Sequence, residues 1–212
     1  MSRPIISTPI STRTKGGVLA KSASVGLGAA LALALVGAAP SASGASTGPA
    51  SLAATGASNS ALCHYTWGSL PESNPTMATG PLTNVRSGRH ACYDRLVIDL
   101  RGKASGYSVR YVGALTQPGS GGTVAVRGGA RLQVTINAPA YDSAGRPTYA
   151  PKNPSEIVNV TGYSAFRQVV WLGSYEGYSD LGIGVRARTP FRVFTMSDAT
   201  TSRVVIDVAH NW

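Results

Sequence analysis

The feature that most constrains the fold is residues 181–193, LGIGVRARTPFRV, where side-chain character alternates from one position to the next. The odd positions carry Leu181, Ile183, Val185, Ala187, Thr189, Phe191 and Val193. A period of two predicts a β-strand with one buried and one exposed face. Because Pro190 has no N–H to donate, we expect the strand to break or bulge there. If the alternation continues through that point, Arg186, Arg188 and Arg192 share one exposed surface.

Short stretches with the same alternation, separated by Gly- and Pro-rich turns, predict further strands. They are residues 95–100, 107–112, 123–126, 132–137, 157–161, 166–172 and 203–209. We find no convincing amphipathic helix after residue 45. Eight or nine short strands predict an all-β fold, an antiparallel β-sandwich.

Two of these strands repeat one motif. Residues 95–100 read RLVIDL and residues 203–208 read RVVIDV, so each has an arginine and an aspartate four residues apart on one face. One interpretation is that they are symmetry-related strands in two packed sheets.

The N-terminal third differs in composition from the rest. Residues 1–24 carry four basic and no acidic residues, residues 25–39 are apolar and small residues follow, which predicts a signal peptide over residues 1–45. An uncleaved membrane anchor is the alternative. We expect a flexible linker at 46–61, an irregular arm at 62–89 and the β-sandwich domain at 90–212. Without a second apolar segment, no stable membrane insertion is expected after cleavage.

The charge balance favours anionic partners outside the cell. Removing residues 1–45 lowers the formal net charge from +10 to +6, because four basic and no acidic residues are lost. A moderate positive excess favours wall polymers, acidic glycans or lipid headgroups. The basic residues are spread along the chain, so nucleic acid is not an expected partner.

Cys63 and Cys92 are the two cysteines, and a pair in an exported chain predicts a disulfide. His64 and His90 lie nearby, which leaves a zinc site as an alternative. That spacing is poor, since adjacent residues of an extended chain point to opposite sides. No metal or cofactor is expected.

Catalytic signals are weak. His210 lies three residues after Asp207 and is the independent candidate base, while Glu176 and Asp180 are a candidate acid/base pair. The chain has no nucleophile-elbow motif. We therefore expect a non-catalytic protein, with a hydrolase as a distant third possibility.

The candidate ligand-binding residues are the three arginines of the opening stretch and two tyrosines before it. Arg186, Arg188 and Arg192 offer planar donors to carboxylates or phosphates, and Tyr175 and Tyr178 offer flat surfaces for sugar rings. The alternative is that the arginines pair with acids such as Asp99 and Asp207 across the sheet.

A second candidate recognition element is the segment 139–154, which carries four prolines interleaved with tyrosines. Long loops of this kind either present a binding surface or cover a sheet edge.

Five sequence segments together resemble those of one protein family. They are GRHACYDRLVIDL at 88–100, VRGGARLQV at 126–134, FRQVVWLGSYEG at 166–177, GIGVRARTPFRVF at 182–194 and VVIDVAHNW at 204–212. The chain resembles the AMIN-like domain family of exported actinobacterial proteins and lipoproteins over residues 62–212. The resemblance implies a β-sandwich outside the cytoplasm that binds peptidoglycan or envelope sites, and it carries over no catalytic residues. No cysteine directly follows the apolar run, so a lipid anchor is not expected here.

These observations predict a secreted, non-catalytic module that binds cell-wall polymer, either peptidoglycan or an associated anionic glycan. The alternative is a protein-interaction module of an extracytoplasmic complex.

Overall fold

The computed structural model describes residues 63–103 and 105–212, and most of the segments with alternating sequence form β-strands there. These residues contain eleven strands and no helix. The strands are β1 Glu72–Asn74, β2 Leu82–Arg89, β3 Tyr93–Arg101, β4 Tyr107–Val112, β5 Leu115–Thr116, β6 Thr123–Val124, β7 Ala130–Ile136, β8 Phe166–Tyr175, β9 Tyr178–Val185, β10 Phe191–Ser197 and β11 Thr201–Ala209. The predicted signal peptide and linker lie outside the described residues.

The strands form two main antiparallel sheets. One has the order β1-β4-β7-β9-β8 and the other the order β10-β11-β3-β2, while β5 and β6 form a short two-stranded ribbon. Alternate residues of both sheets meet in one buried cluster, including Leu132, Ile183, Leu96, Ile98 and Ile206. The predicted all-β fold is confirmed, and the arrangement is that of a β-sandwich.

The opening stretch forms two strands in different sheets. The break expected near Pro190 is present, but the prediction that one surface continues through it was wrong. Leu181, Ile183 and Val185 are fully buried on β9, and the alternation resumes at Phe191 on β10. Residues 186–190 connect the two sheets. Pro190 cannot donate a ladder hydrogen bond and also restricts the residue before it, so pairing ends in this segment. The connection thus separates Arg186 and Arg188 from Arg192.

The repeated motif belongs to adjacent strands of one sheet, and the prediction of two packed sheets was wrong. β3 and β11 pair antiparallel with Arg95 opposite Asp207 and Asp99 opposite Arg203. Reversing one copy of an Arg-x-x-x-Asp motif against the other places each arginine beside the other strand's aspartate. Opposite charges at such positions stabilise the pairing.

The segment 62–89, for which the sequence predicted irregular structure, contains two strands. β1 is an edge strand beside β4, and β2 is an edge strand beside β3. The sequence of β2, LTNVRSGR, has only two buried apolar residues, Leu82 and Val85, and its register shifts after Leu82. Its hydrophobic signal is therefore weak.

The predicted strand at 157–161 is absent; the segment packs beside β8 through a hydrogen bond from Ile157 N to Val169 O at 3.0 Å. This short apolar segment is therefore held by tertiary contacts and not by the regular hydrogen bonds of a β-sheet.

The hairpin joining β8 to β9 gives a first prediction. Its two turn residues, Glu176 and Gly177, have φ of 49° and 85°, which is the left-handed region. A two-residue turn with positive φ at both positions favours Asn-Gly. Glu176→Asn is therefore expected to raise the free energy of unfolding by about 0.5–1 kcal/mol, measured by urea denaturation. Glu176→Ala is the control, and an equal gain in that variant would contradict the backbone explanation.

Candidate functional site

The outer face of the four-stranded sheet carries two clusters of arginine and aspartate. Even-numbered residues of β3 and β11, such as Leu96 and Ile206, enter the core, so the odd-numbered residues project to the opposite face. The two carboxylates of this face are Asp207 and Asp99.

The Asp207 cluster is covered. The Asp207 side chain is fully buried and lies 2.6 Å from Arg95 Nε and 2.9 Å from Arg192 Nε. The hydrogen bond to Asp207 raises the pKa of Arg95 above its ordinary value. The Arg192 guanidinium carbon is 4.3 Å from the centroid of the Trp67 ring. The aromatic cover and two ion pairs make this cluster part of the packed structure.

The Asp99 cluster is open. Arg86 binds the Asp99 carboxylate with two hydrogen bonds of 2.9 and 3.2 Å, and Arg203 Nε lies 3.4 Å from Asp99 Oδ1. The side chains of Arg86, Arg203 and Asp99 are 52%, 40% and 23% exposed. The hydrogen bonds to Asp99 raise the pKa of Arg86. One carboxylate thus orients two guanidinium groups that remain accessible to solvent.

An open cavity of about 540 Å³ lies over the Asp99 cluster. Its lining includes three arginines, Arg86, Arg101 and Arg203, and a single acidic residue, Asp99. The formal charge of the lining is therefore +2. The hydroxyl-bearing residues Thr83, Thr201 and Ser202 complete the polar part of the lining.

A neighbouring cavity of about 370 Å³ shares Arg86 and Arg203 with the first. It is also lined by Arg95 and His90, over Val97, Val205 and Met196. We call these two adjacent cavities the arginine groove. Its chemistry is that of a binding site for anions, since guanidinium groups give planar, multidentate donors.

The five predicted ligand-binding residues do not form one surface. Tyr175 and Tyr178 face each other across the β8–β9 hairpin, while Arg186 follows the far end of β9. Tyr178 and Arg186 are eight residues apart, which corresponds to roughly 26 Å at about 3.3 Å per residue. Ligand binding at any of these residues stays a prediction.

The three predicted arginines have different surroundings. Arg188 donates to Ser69 Oγ and Ser69 O at 3.2 and 3.0 Å and lies over the Tyr111 ring. Arg192 pairs with Asp207, so the alternative of cross-strand pairing is confirmed for this arginine. The exposed Arg186 has no side-chain ion pair or hydrogen bond within the described residues.

His210 is paired with a different acid from the one the sequence indicated. Its Nε2 lies 3.1 Å from Asp94 Oδ1, and Asp94 Oδ2 accepts hydrogen bonds from the N–H groups of Ala165 and Phe166 at 2.6 and 3.0 Å. Asp207 projects from the outer face, whereas Asp94 and His210 lie on the other side of the sheet. The buried Asp94 thus joins the C-terminal end of the chain to the start of β8.

The two predicted turn carboxylates have structural surroundings. Asp180 accepts a hydrogen bond from Thr135 Oγ1, and Glu176 occupies the hairpin turn.

The predicted disulfide between Cys63 and Cys92 is confirmed, with the two Cα atoms 5.6 Å apart. The zinc alternative is wrong, because both thiols are consumed by the bond. The disulfide anchors a strap, residues 63–70, along the start of β10. Tyr65 donates a hydrogen bond to Cys92 O, and Gly68 O accepts one from Phe191 N at 2.8 Å.

The Pro-rich segment 139–154 covers part of the free edge of β8. Trp171 N donates to Pro154 O at 2.7 Å, which supports the edge-covering interpretation. Between the segment and β8 is a cleft of about 390 Å³ without a charged residue in its lining. Tyr149 and Trp171 meet there edge to face with ring centroids 5.2 Å apart, and burial raises the pKa of Tyr149 to about 12.

Sequence reasoning missed Arg86, Arg95, Arg101 and Arg203 as parts of one groove. The signal was present in the repeated motif, because two copies paired antiparallel place four charges on one face. The contribution of Arg86 came from β2, which had too little hydrophobic alternation to be recognised.

Within residues 63–103 and 105–212 there is no helix that could cross a membrane and no group of His, Cys, Asp and Glu side chains placed to hold a metal ion.

Comparison with known proteins identifies the family. The model of the AMIN-like domain matches residues 80–210, which is more than half of the chain and includes the strands from β2 to β11. No curated protein and no solved structure matches the chain. The match and the disulfide indicate an extracytoplasmic module related to peptidoglycan or the envelope. The chain belongs to the AMIN-like domain family.

Proposed function

We propose that this protein is a secreted, non-catalytic module that binds an anionic cell-wall polymer, peptidoglycan or an associated anionic glycan, through the arginine groove. The observation that carries the proposal is the open cavity in which Arg86, Arg101 and Arg203 surround the single carboxylate of Asp99.

The charge count favours ligand binding over simple internal pairing. Across the two clusters, Arg86, Arg95, Arg192 and Arg203 share two carboxylates, which leaves a formal excess of +2 before Arg101 is added. A sheet stabilised only by ion pairs has no need of this excess.

Pre-orientation also favours binding. Each guanidinium has five N–H donors, and Asp99 accepts two hydrogen bonds from Arg86. The remaining donors are available to the oxygen atoms of a ligand. Holding the side chain in place reduces the conformational entropy lost on binding.

Cosedimentation with isolated cell-wall sacculi tests this function. The variant Arg86→Ala/Arg203→Ala is expected to bind at least about tenfold more weakly, because hydrogen bonds between charged groups are worth more than about 1.4 kcal/mol each. The matched control is Arg186→Ala/Arg188→Ala, which removes the same charge from the predicted arginine surface. A loss in the control with full binding by the groove variant would show that the groove is the wrong surface.

The polymer is identified by repeating the measurement on sacculi stripped of teichoic and other anionic polymers. Binding that depends on the anionic polymer is expected to weaken as salt is added. The attraction between solvent-exposed charges decays over a Debye length of about 8 Å at physiological ionic strength, and this length shortens at higher salt.

A second candidate function, a protein-interaction module, is favoured by the uncharged cleft beside Tyr149 and Trp171. Aromatic rings beside an apolar surface are common anchors in protein interfaces. Co-purification of one defined envelope protein that survives high salt and both double substitutions would support this candidate over the glycan.

A further inference from the structure

The arginine groove follows the strands β3 and β11 rather than surrounding a single point. The two cavities that form it share Arg86 and Arg203 in their linings. Arg101 lies at one end, and Arg95 with His90 lies at the other. A ligand that fills the groove therefore extends along the strands.

The length of the groove follows from strand geometry. Arg101 and Arg95 are six residues apart on β3, which corresponds to roughly 20 Å at about 3.3 Å per residue. Between them Asp99 holds Arg86 and Arg203, so cationic groups occur in three successive tiers. A single small anion reaches one tier only.

The floor between the inner tiers is apolar. Val97 and Val205 face each other between the Asp99 and Asp207 rows, and both are nearly buried. Met196 forms part of the same lining and is half exposed. The anionic groups of a bound chain therefore contact the groove at the cationic tiers on either side of this apolar floor.

The strap covers Arg192 of the Asp207 cluster and lines neither cavity of the groove. The Trp67 ring covers Arg192, while Arg95 retains partial exposure beside the second cavity. The open path therefore runs from Arg101 past the Asp99 cluster to Arg95.

We infer that the groove binds a linear polyanion along β3 and β11, with repeated phosphate or carboxylate groups contacting successive arginine tiers. This inference rests on the proposed function and specifies the architecture of its ligand. Tiers engaged by one chain act together, because after the first contact the others form at high effective concentration.

The test compares ligands of the same anionic chemistry but different length. Binding of the purified protein to orthophosphate, tripolyphosphate and long-chain linear polyphosphate is measured by isothermal titration calorimetry, with polygalacturonate as the carboxylate polymer. Affinity per ligand chain is expected to rise by about a hundredfold or more from orthophosphate to the long polymer. A preference for either polymer supports the inference and identifies the anionic group.

An end-tier substitution separates the groove from net charge. Arg101→Ala is expected to reduce affinity for the long polymer about tenfold, whereas Arg110→Ala removes the same charge from the exposed side of β4 in the other sheet and is expected to have little effect. Equal losses in both variants would overturn the inference.

The same measurements distinguish the inference from the proposed function. If orthophosphate and long polyphosphate bind equally, or if no linear polyanion binds, while sacculus binding still requires Arg86 and Arg203, the extended mode is wrong and the proposed function stands. If sacculus binding is also independent of those arginines, both fail.

Discussion

Substitution of Asp207 by alanine is expected to lower the free energy of unfolding by about 3 kcal/mol, because it leaves two arginines in the packed cluster without their counter-charge. Arg95 and Arg192 both bind this carboxylate, and Trp67 covers one of them. The loss is placed at the lower end of the range for buried ion pairs, since both arginines keep partial contact with water.

Asp99→Ala is the matched control for this prediction. It removes the equivalent carboxylate from the antiparallel motif, but Arg86 and Arg203 are largely exposed and can be solvated, so the expected loss is about 1 kcal/mol or less. Urea denaturation of both variants at neutral pH measures the difference. Equal destabilisation would contradict the distinction between a covered and an open cluster.

The strap explains why two motifs related by sequence have different roles. In register, Arg95 opposite Asp207 is equivalent to Arg203 opposite Asp99. Trp67 of the strap lies over the Asp207 cluster, while the Asp99 cluster faces an open cavity. The cover makes Arg192 and Asp207 structural, while the Asp99 cluster and the partly exposed Arg95 remain available for a ligand.

Local periodicity predicted many of the strands but not their pairing. The predicted strand 107–112 coincides with Tyr107–Val112, and that at 166–172 extends to Phe166–Tyr175. The pattern carries no information about which strands are neighbours, because pairing joins residues distant in the chain. The repeated motif was therefore assigned to two sheets although its copies pair directly.

The same limitation affected the predicted site. Period-two counting continued across Pro190 and placed Arg186, Arg188 and Arg192 on one face, but the chain changes sheets before Phe191. The sequence shows that Pro190 interrupts the hydrogen bonding of the strand. Whether the chain then continues in the same sheet or crosses to the other depends on the packing of the whole sandwich.

Part of the arginine groove could have been predicted from charge pairing. Two Arg-x-x-x-Asp motifs on strands of equal length form two attractive pairs when the strands run antiparallel and side by side. Antiparallel pairing of the two copies places Arg95, Asp99, Arg203 and Asp207 on one face. Arg86 and the covering Trp67 would still have been missed, since both lie in the segment with weak periodicity.

Removal of the disulfide by Cys63→Ala/Cys92→Ala is expected to lower the free energy of unfolding by about 3.5 kcal/mol, from the loop-closure entropy of a sequence separation of 29 residues. Urea denaturation without added oxidant or reductant measures the free energy of unfolding of the variant and of the parent protein, and the difference between them is the loss. Trp67→Ala with the disulfide intact is the control for the strap contacts, and its expected loss is about 1 kcal/mol from the cation–π contact with Arg192.

The disulfide variant also separates stability from binding. Arg86, Arg101 and Arg203 line the open cavity, and none of the strap residues does. At a temperature where the double-alanine variant remains folded, its affinity for sacculi is therefore expected to stay within about twofold of the parent. A large loss of affinity in the folded variant would mean that the strap belongs to the binding surface, and the division between a covered structural cluster and an open binding cluster would be wrong.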